Sequence, residues 1–338
     1  MKAVRFHEHG GVDVLRYEDV VDPKPAPGEV LVKVRACALN HIDLWQRRGI
    51  PGVPLPHCPG SDVAGEVVRG EAPGVAEGLR VMLQPGISCG RCGACLGGQD
   101  NLCRSYGLVG HQWEGGYAEF VTVPVENLIA LPDRIGFVEA AAFPLTFLTA
   151  WHMLVTRAQL RPGETVLVLA AGSGVGQAAI QVARAQGARV MATAGSVEKL
   201  ALARKLGAHV GINHYQDDIA KEVRLFTDRR GVDVVVEHVG QSTWEQSVKS
   251  LRRGGRLVTC GATSGPSGSV DIRHLFTRQI SLIGSYMGSK GELLQAADLF
   301  FDGEFGPTVD RTYSLEAAAE AQQRLEDKAQ FGKIVLEL

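Results

Sequence analysis

From Thr165 onward the chain alternates short apolar runs with amphipathic stretches so regularly that few architectures remain open to it. TVLVLA precedes the helix-like GVGQAAIQVARAQG, RVMATA precedes SVEKLALARKLG, HVGIN precedes DDIAKEVRLFT, VDVVVEHV precedes TWEQSVKSLRR, and GRLVTCG and SLIGSYM follow. Apolar runs of about five residues suit strands buried on both faces, and amphipathic runs of about ten suit crossover helices. The pattern therefore predicts a doubly wound α/β unit around a six-stranded parallel sheet. The first 130 residues read differently: VLVKVRACAL, DVAGEVV, RVMLQPG and YAEFVTVP are β-rich runs separated by Gly and Pro. They lack the long 3.6-residue periodicity of a helical domain. The tail (ELLQAADLFFDG, LEAAAEAQQRLE, GKIVLEL) reads as two helices and a closing strand that returns to the first lobe, making that lobe discontinuous. The expected division is 1–140 with 285–338 against 141–284.

Charge narrows the partners. The 35 Lys and Arg residues against 37 Asp and Glu leave a net charge of -2, with no basic excess to displace counterions from nucleic acid or to grip an anionic membrane. No apolar run reaches the roughly 18 residues needed to span a bilayer. The start MKAVRFHEHGG lacks the apolar core of a secretory signal, so a cytoplasmic protein acting on a small molecule is expected.

After the strand-like TVLVL come Ala170-Ala171-Gly172-Ser173-Gly174-Val175-Gly176 and a helix. Such a turn brings backbone amides at a helix N-terminus close to a pyrophosphate, so Gly172, Ser173, Gly174, Val175 and Gly176 are expected dinucleotide contacts. The match to G-x-G-x-x-G is incomplete, since Ala171 and Ser173 stand where the first two glycines belong. An acid that takes the ribose 2′-hydroxyl of NAD is expected about 20 residues on. Thr193-Ala194-Gly195-Ser196 has none. A 2′-phosphate escapes repulsion there, so NADP is preferred, with Ser196, Lys199 and His214 as its contacts, and NAD stays open. The bland alternative makes Lys199 a solvated helix charge and His214 a loop residue.

Seven cysteines are an odd number, and four of them, Cys89, Cys92, Cys95 and Cys103, fall within fifteen residues in a Gly-rich segment. The C-x-x-C-x-x-C-x7-C spacing lets four thiolates close around one Zn²⁺ with no open coordination position, a stabilising rather than a catalytic site. An iron-sulfur cluster is the competing metal.

Taken together, Cys37-Ala38-Leu39-Asn40-His41-Ile42-Asp43, Pro59-Gly60-Ser61-Asp62-Val63-Ala64-Gly65, the cysteine lobe (86–106), the glycine turn and Gly332-Lys333-Ile334-Val335-Leu336 resemble the medium-chain dehydrogenase/reductase superfamily, which contains zinc alcohol dehydrogenases and quinone oxidoreductases. The resemblance implies a GroES-like catalytic domain beside a Rossmann domain, hydride transfer to or from a nicotinamide, and a homodimer or homotetramer. Thr149, Val239 and Gly261 complete the expected coenzyme contacts. The ligands of the catalytic zinc in the alcohol dehydrogenases fall on Asn40, Ser61, Asp62 and a position near Leu145, and the proton-relaying hydroxyl falls on Ile42. Only Asp62 is a good ligand, whereas an open zinc site needs three. A rebuilt site from Cys37, His41, His57, Cys58 and Asp62 is the competing possibility, opposed by the opposite directions that adjacent His57 and Cys58 take in an extended segment.

Asn at the first of these positions and Asp at the third resemble the quinone oxidoreductase branch, which binds no catalytic metal. That branch commonly lacks the cysteine lobe, which this chain keeps. Hydride delivered to a quinone or an enone gives a delocalised anion that needs only hydrogen-bond donors. Asn40 and His41 are the expected donors, with Asp43 positioning them and Asp62 in the same group. The plainer reading sets His41 against coenzyme phosphates and makes Asp43 a helix N-terminal charge. Trp45, Leu145, Thr146, Tyr286 and Met287 are expected to line an apolar substrate pocket. The expected function is NADPH-dependent reduction of quinones or α,β-unsaturated carbonyls with one structural zinc per chain. The alternatives are a zinc-containing NAD(P)-dependent alcohol dehydrogenase and a non-catalytic NADPH-binding protein.

Overall fold

The computed structural model describes residues 1–70 and 75–338. The chain divides into two compact units: Met1–Leu145 with Ser289–Phe301 and Pro307–Leu338, and Thr146–Gly288 with Asp302–Gly306. The first unit thus keeps 141–145 beyond the expected boundary, and the second extends to 288 and takes in a short piece of the tail.

The second unit holds six parallel strands in the spatial order Val210–Asn213, Arg189–Ala194, Thr165–Val168, Val232–Glu237, Leu251–Thr259, Ser281–Gly284. The central ones are mostly Val, Leu, Met and Ala, and all their residues but Arg189 and Asp233 are buried, which is why they read as apolar runs. Sequence order reverses between Thr165–Val168 and Val232–Glu237, the point at which doubly wound sheets open a crevice beyond their strand ends. The helix Ile272–Arg278, which exposes Ile272 and Phe276, precedes the last strand.

The first unit is built on a seven-stranded sheet. Its centre is Glu29–Ala38, which pairs antiparallel with Asp62–Gly70, with Phe120–Pro124 and with the closing strand Lys333–Glu337. Val30, Val32 and Val34 alternate inward and carry the core. The tail does return to this unit, and it contains a strand absent from the sequence reading: Val309–Ser314, parallel to Lys333–Glu337. VDRTYS is an edge strand with polar and charged residues turned to solvent, so it carries little hydrophobic signal. Among the described residues, no helix is long and apolar enough to cross a membrane.

Candidate active site and metal centre

The strand Glu29–Ala38 runs through Leu39 into the helix His41–Arg48, capped by Asn40 in extended conformation. Asp43, fully buried, accepts the backbone N–H of Asn40 (2.9 Å) and the Tyr117 hydroxyl (3.1 Å) through Oδ2. Its Oδ1 has no partner. Burial pushes the Asp43 carboxyl up to about 7 against the pull of these donors and of Lys333.

On the other side of Asn40 stands a residue that the sequence reading passed over as a motif ending. Lys333, 2% exposed, donates from Nζ to Leu39 O (2.7 Å), Asn40 Oδ1 (2.7 Å) and Asp62 Oδ2 (2.8 Å). An ammonium has three protons to give, and all three are placed. Asp62 Oδ2 also accepts Asn40 Nδ2 (2.9 Å), and Oδ1 accepts the N–H of Leu145 (2.8 Å). The second N–H of Asn40 makes only a long contact, 3.4 Å to Ala38 O. A lysine at the head of the buried run Ile334-Val335-Leu336 was the signal that could have found this group.

The residues considered for a rebuilt metal site do not converge. His57 Nε2 pairs with Gly110 O (3.0 Å), and the Cys58 thiol turns to Gly115 O (3.5 Å). Burial pushes the His57 imidazole down to about 4 and the Cys37 thiol far above its ordinary range. His41 is half-buried, its ring 6.4 Å from that of Trp45. Ser61, another of the aligned ligand positions, is fully buried.

The cysteines behave otherwise. The Sγ atoms of Cys89, Cys92, Cys95 and Cys103 all lie within 4.8 Å of one another, the single such cluster of potential ligands among the described residues. Two of the separations are 3.5 and 3.9 Å. A tetrahedron with Zn–S bonds of about 2.3 Å has edges of about 3.8 Å, so the donor set fits one zinc ion. The short helix Gly93–Leu96 buries nothing, and Leu96 and Leu102 face solvent, so the lobe has little core of its own. Asp100 fastens it to the tail by accepting the N–H of Lys290 (2.9 Å).

In the second unit the glycine turn joins Thr165–Val168 to the helix Gly174–Ala185. Ser173 Oγ caps that helix by accepting the Gly176 N–H (2.8 Å), which leaves the Gly174 and Val175 amides to meet an anion. A Cβ on Gly176 would lie 2.3 Å from Ala170 O, so helix and strand approach as closely as dinucleotide folds require. The strand Arg189–Ala194 ends without a carboxylate. Ser196 caps the next helix by accepting the Lys199 N–H (3.3 Å), and a Cβ on Gly195 would meet Tyr215 at 2.5 Å and His214 at 3.2 Å, so both rings roof this turn. The sequence reading missed Glu198, whose carboxyl is held below its ordinary range by its own backbone N–H and the Ser196 hydroxyl. Thr149 is buried on the helix Pro144–Trp151, the Val239 N–H is taken by Glu237 (2.7 Å), and Gly261 lies against the His238 backbone. The proposed pocket residues divide between the units, Trp45 and Leu145 in the first, Thr146, Tyr286 and Met287 in the second; Tyr286 is 57% exposed.

Residues 26–133 match the alcohol dehydrogenase GroES-like domain and residues 174–302 the zinc-binding dehydrogenase domain. A quinone oxidoreductase of Pongo abelii is 32% identical over 99% of this chain and 97% of its own. The chain belongs to the medium-chain dehydrogenase/reductase superfamily. An acryloyl-coenzyme A reductase of Metallosphaera sedula is 34% identical over 99% of both chains. A solved structure titled as an NAD-dependent alcohol dehydrogenase superposes over 100% of both chains with a TM-score of 0.97 and 46% identity. The protein is accordingly an oxidoreductase of this superfamily, whose members bind NAD(P).

Proposed function

We propose that this enzyme uses NADPH to reduce quinones or α,β-unsaturated carbonyls without a catalytic metal, and that one structural zinc sits in its cysteine lobe. The observation that carries the reading is the Lys333 ammonium bonded at once to Asn40 Oδ1 and Asp62 Oδ2, two of the positions that the family resemblance aligns with catalytic zinc ligands. Both oxygens of Asp62 are engaged, and asparagine, serine and leucine at the other aligned positions are poor ligands. The residues do not fit a catalytic metal.

The bound coenzyme supplies hydride. The chain's own residues then have to receive negative charge on the acceptor oxygen, and the donors for this are the second N–H of Asn40 and the imidazole of His41. Both stand at the N-terminus of His41–Arg48, the positive end of that helix dipole. Asp43, Asp62 and Lys333 are positioning residues: they fix the cap and its amide so that it need not reorganise as charge develops. The carbon acceptor takes its proton from solvent. Trp45 and Leu145 give the acceptor an apolar surround. The quinone oxidoreductase and acryloyl-coenzyme A reductase among the relatives support acceptors of this activated kind.

On the coenzyme, Gly172 to Gly176 hold the pyrophosphate, with Thr149, Val239 and Gly261 along its length. Ser196, Lys199 and His214 receive the 2′-phosphate; Glu198 opposes it. A second reading, NAD-dependent oxidation of alcohols, is favoured by the 46% identity to a structure of that title. The test is turnover with NADPH and NADH across quinones, enones and simple alcohols, before and after treatment with a chelator too weak to strip the cysteine lobe. The proposal expects NADPH oxidation with quinones or enones, unaffected by the chelator. Chelator-sensitive alcohol oxidation with NAD would overturn it.

A further inference from the structure

The glycine turn carries two departures from the pattern that makes such turns easy. Glycine is missing from two of three positions, and Ala170 sits at φ +46, a left-handed conformation that costs an L-residue about 1 kcal/mol or more. A turn of this kind keeps its shape only if neighbours hold it. Thr193, from the strand on one side, accepts the Ala170 N–H through Oγ1 (3.0 Å) and the Ala171 N–H through its carbonyl (2.7 Å).

The other side is held by a residue to which no role has yet been given. His238 follows the strand Val232–Glu237, directly across the reversal of strand order. Its Nε2 lies 3.0 Å from Leu169 O, at the entry to the turn, and 3.4 Å from Ser173 Oγ, the cap of the helix. A carbonyl only accepts, so Nε2 carries the proton and the tautomer is set. The imidazole is 8% exposed, and burial holds it below its ordinary pKa, which keeps it neutral. The adjacent Glu237 is no rival partner. It is taken up by the N–H groups of Val239 (2.7 Å) and Gly240 (3.0 Å) and the hydroxyls of Thr243 (2.9 Å) and Ser247 (2.5 Å).

We infer that His238 is a positioning residue for the coenzyme: by donating Nε2–H to Leu169 O beside Ser173, it clamps the glycine turn in its pyrophosphate-binding shape. It acts on the turn and not on the reacting atoms. Affinity for coenzyme therefore depends on it, equally for NADH and NADPH, because the pyrophosphate is common to both. The inference rests on dinucleotide binding alone and is indifferent to the acceptor and to the absence of a catalytic metal.

The experiment compares zinc-loaded wild type with His238→Leu, which fills the space without a donor, and His238→Gln, which restores an N–H. Dissociation constants are read from reduced-nicotinamide fluorescence, and hydrogen exchange is followed at residues 173–177 in protein without coenzyme. His238→Leu is expected to weaken both coenzymes by about tenfold, the worth of one buried hydrogen bond. It should also speed exchange in the turn and leave kcat at saturating coenzyme within about twofold of wild type. His238→Gln should recover most of the affinity. If His238→Leu does not fold, His238→Met takes its place. A folded variant with unchanged affinity and unchanged exchange overturns the inference, as does a fall in kcat at unchanged affinity.

Discussion

The cysteine lobe and the Asn40–Asp62–Lys333 cluster are the two places where this superfamily offers a metal, and they differ in what their donor atoms already do. Four thiols lie within 4.8 Å of one another on a segment with almost no core. In the cluster, the carboxylate, the amide oxygen and the ammonium are all engaged, among themselves and with Leu39 O and the Leu145 N–H at 2.7–2.9 Å, and only the second N–H of Asn40 is weakly held. The first set of donors could hold a cation, and in the second an ammonium side chain already stands against the carboxylate. Ligand identity alone would not separate them, because Asp62 is an acceptable zinc ligand until its hydrogen bonds are counted.

The largest effect expected from breaking this contrast is at the lobe. Structural zinc of this type contributes on the order of 10 kcal/mol to the module it organises. Cys103→Ser should release the metal and open residues 89–105 to proteolysis, as measured by limited digestion and mass spectrometry. An intact, protected lobe would contradict the assignment. Next comes Lys333→Met, which strips the cation from a buried pair and leaves Asp62 without it. Breaking such a pair costs about 3–5 kcal/mol, read as a lower urea midpoint. A neutral outcome would mean that Asp62 finds another partner.

Asp43 sharpens the comparison through pH. Its folded pKa, about 7, lies above that of the unfolded chain, so the folded state binds the proton more tightly. The stability from this group is complete below about pH 4 and declines as pH rises to about 7, then stays level. Asp43→Asn, a mimic of the protonated acid, should gain on wild type between pH 5 and pH 8 in paired denaturant titrations. A pH-independent difference would count against a raised pKa. The smallest effect is at the ribose. Glu198→Gln removes a carboxylate from the helix start, where one charge changes anion affinity by about two- to fivefold, and it should favour NADPH over NADH by that factor. Equal change in both coenzymes would remove Glu198 from discrimination.

Much of this was legible in the residues. Buried parallel strands are continuous apolar runs, so the doubly wound sheet stood out; the cysteine spacing fixes a local geometry, so the lobe did too. Val309–Ser314 was not legible because edge strands are polar. Lys333 was not because its partners lie 271 and 293 residues away in sequence, and no local pattern announces such a contact. Glu198 escaped attention because the expected acid belongs at the strand end and this one reaches back from the first turn of the helix.

The most direct test of the central claim is the zinc content of purified protein after mild chelation, by elemental analysis, for wild type, Cys103→Ser and Asp62→Ala. The account predicts one zinc per chain, lost in Cys103→Ser and retained in Asp62→Ala. Two zinc ions per chain, with one lost when Asp62 is removed, would contradict it.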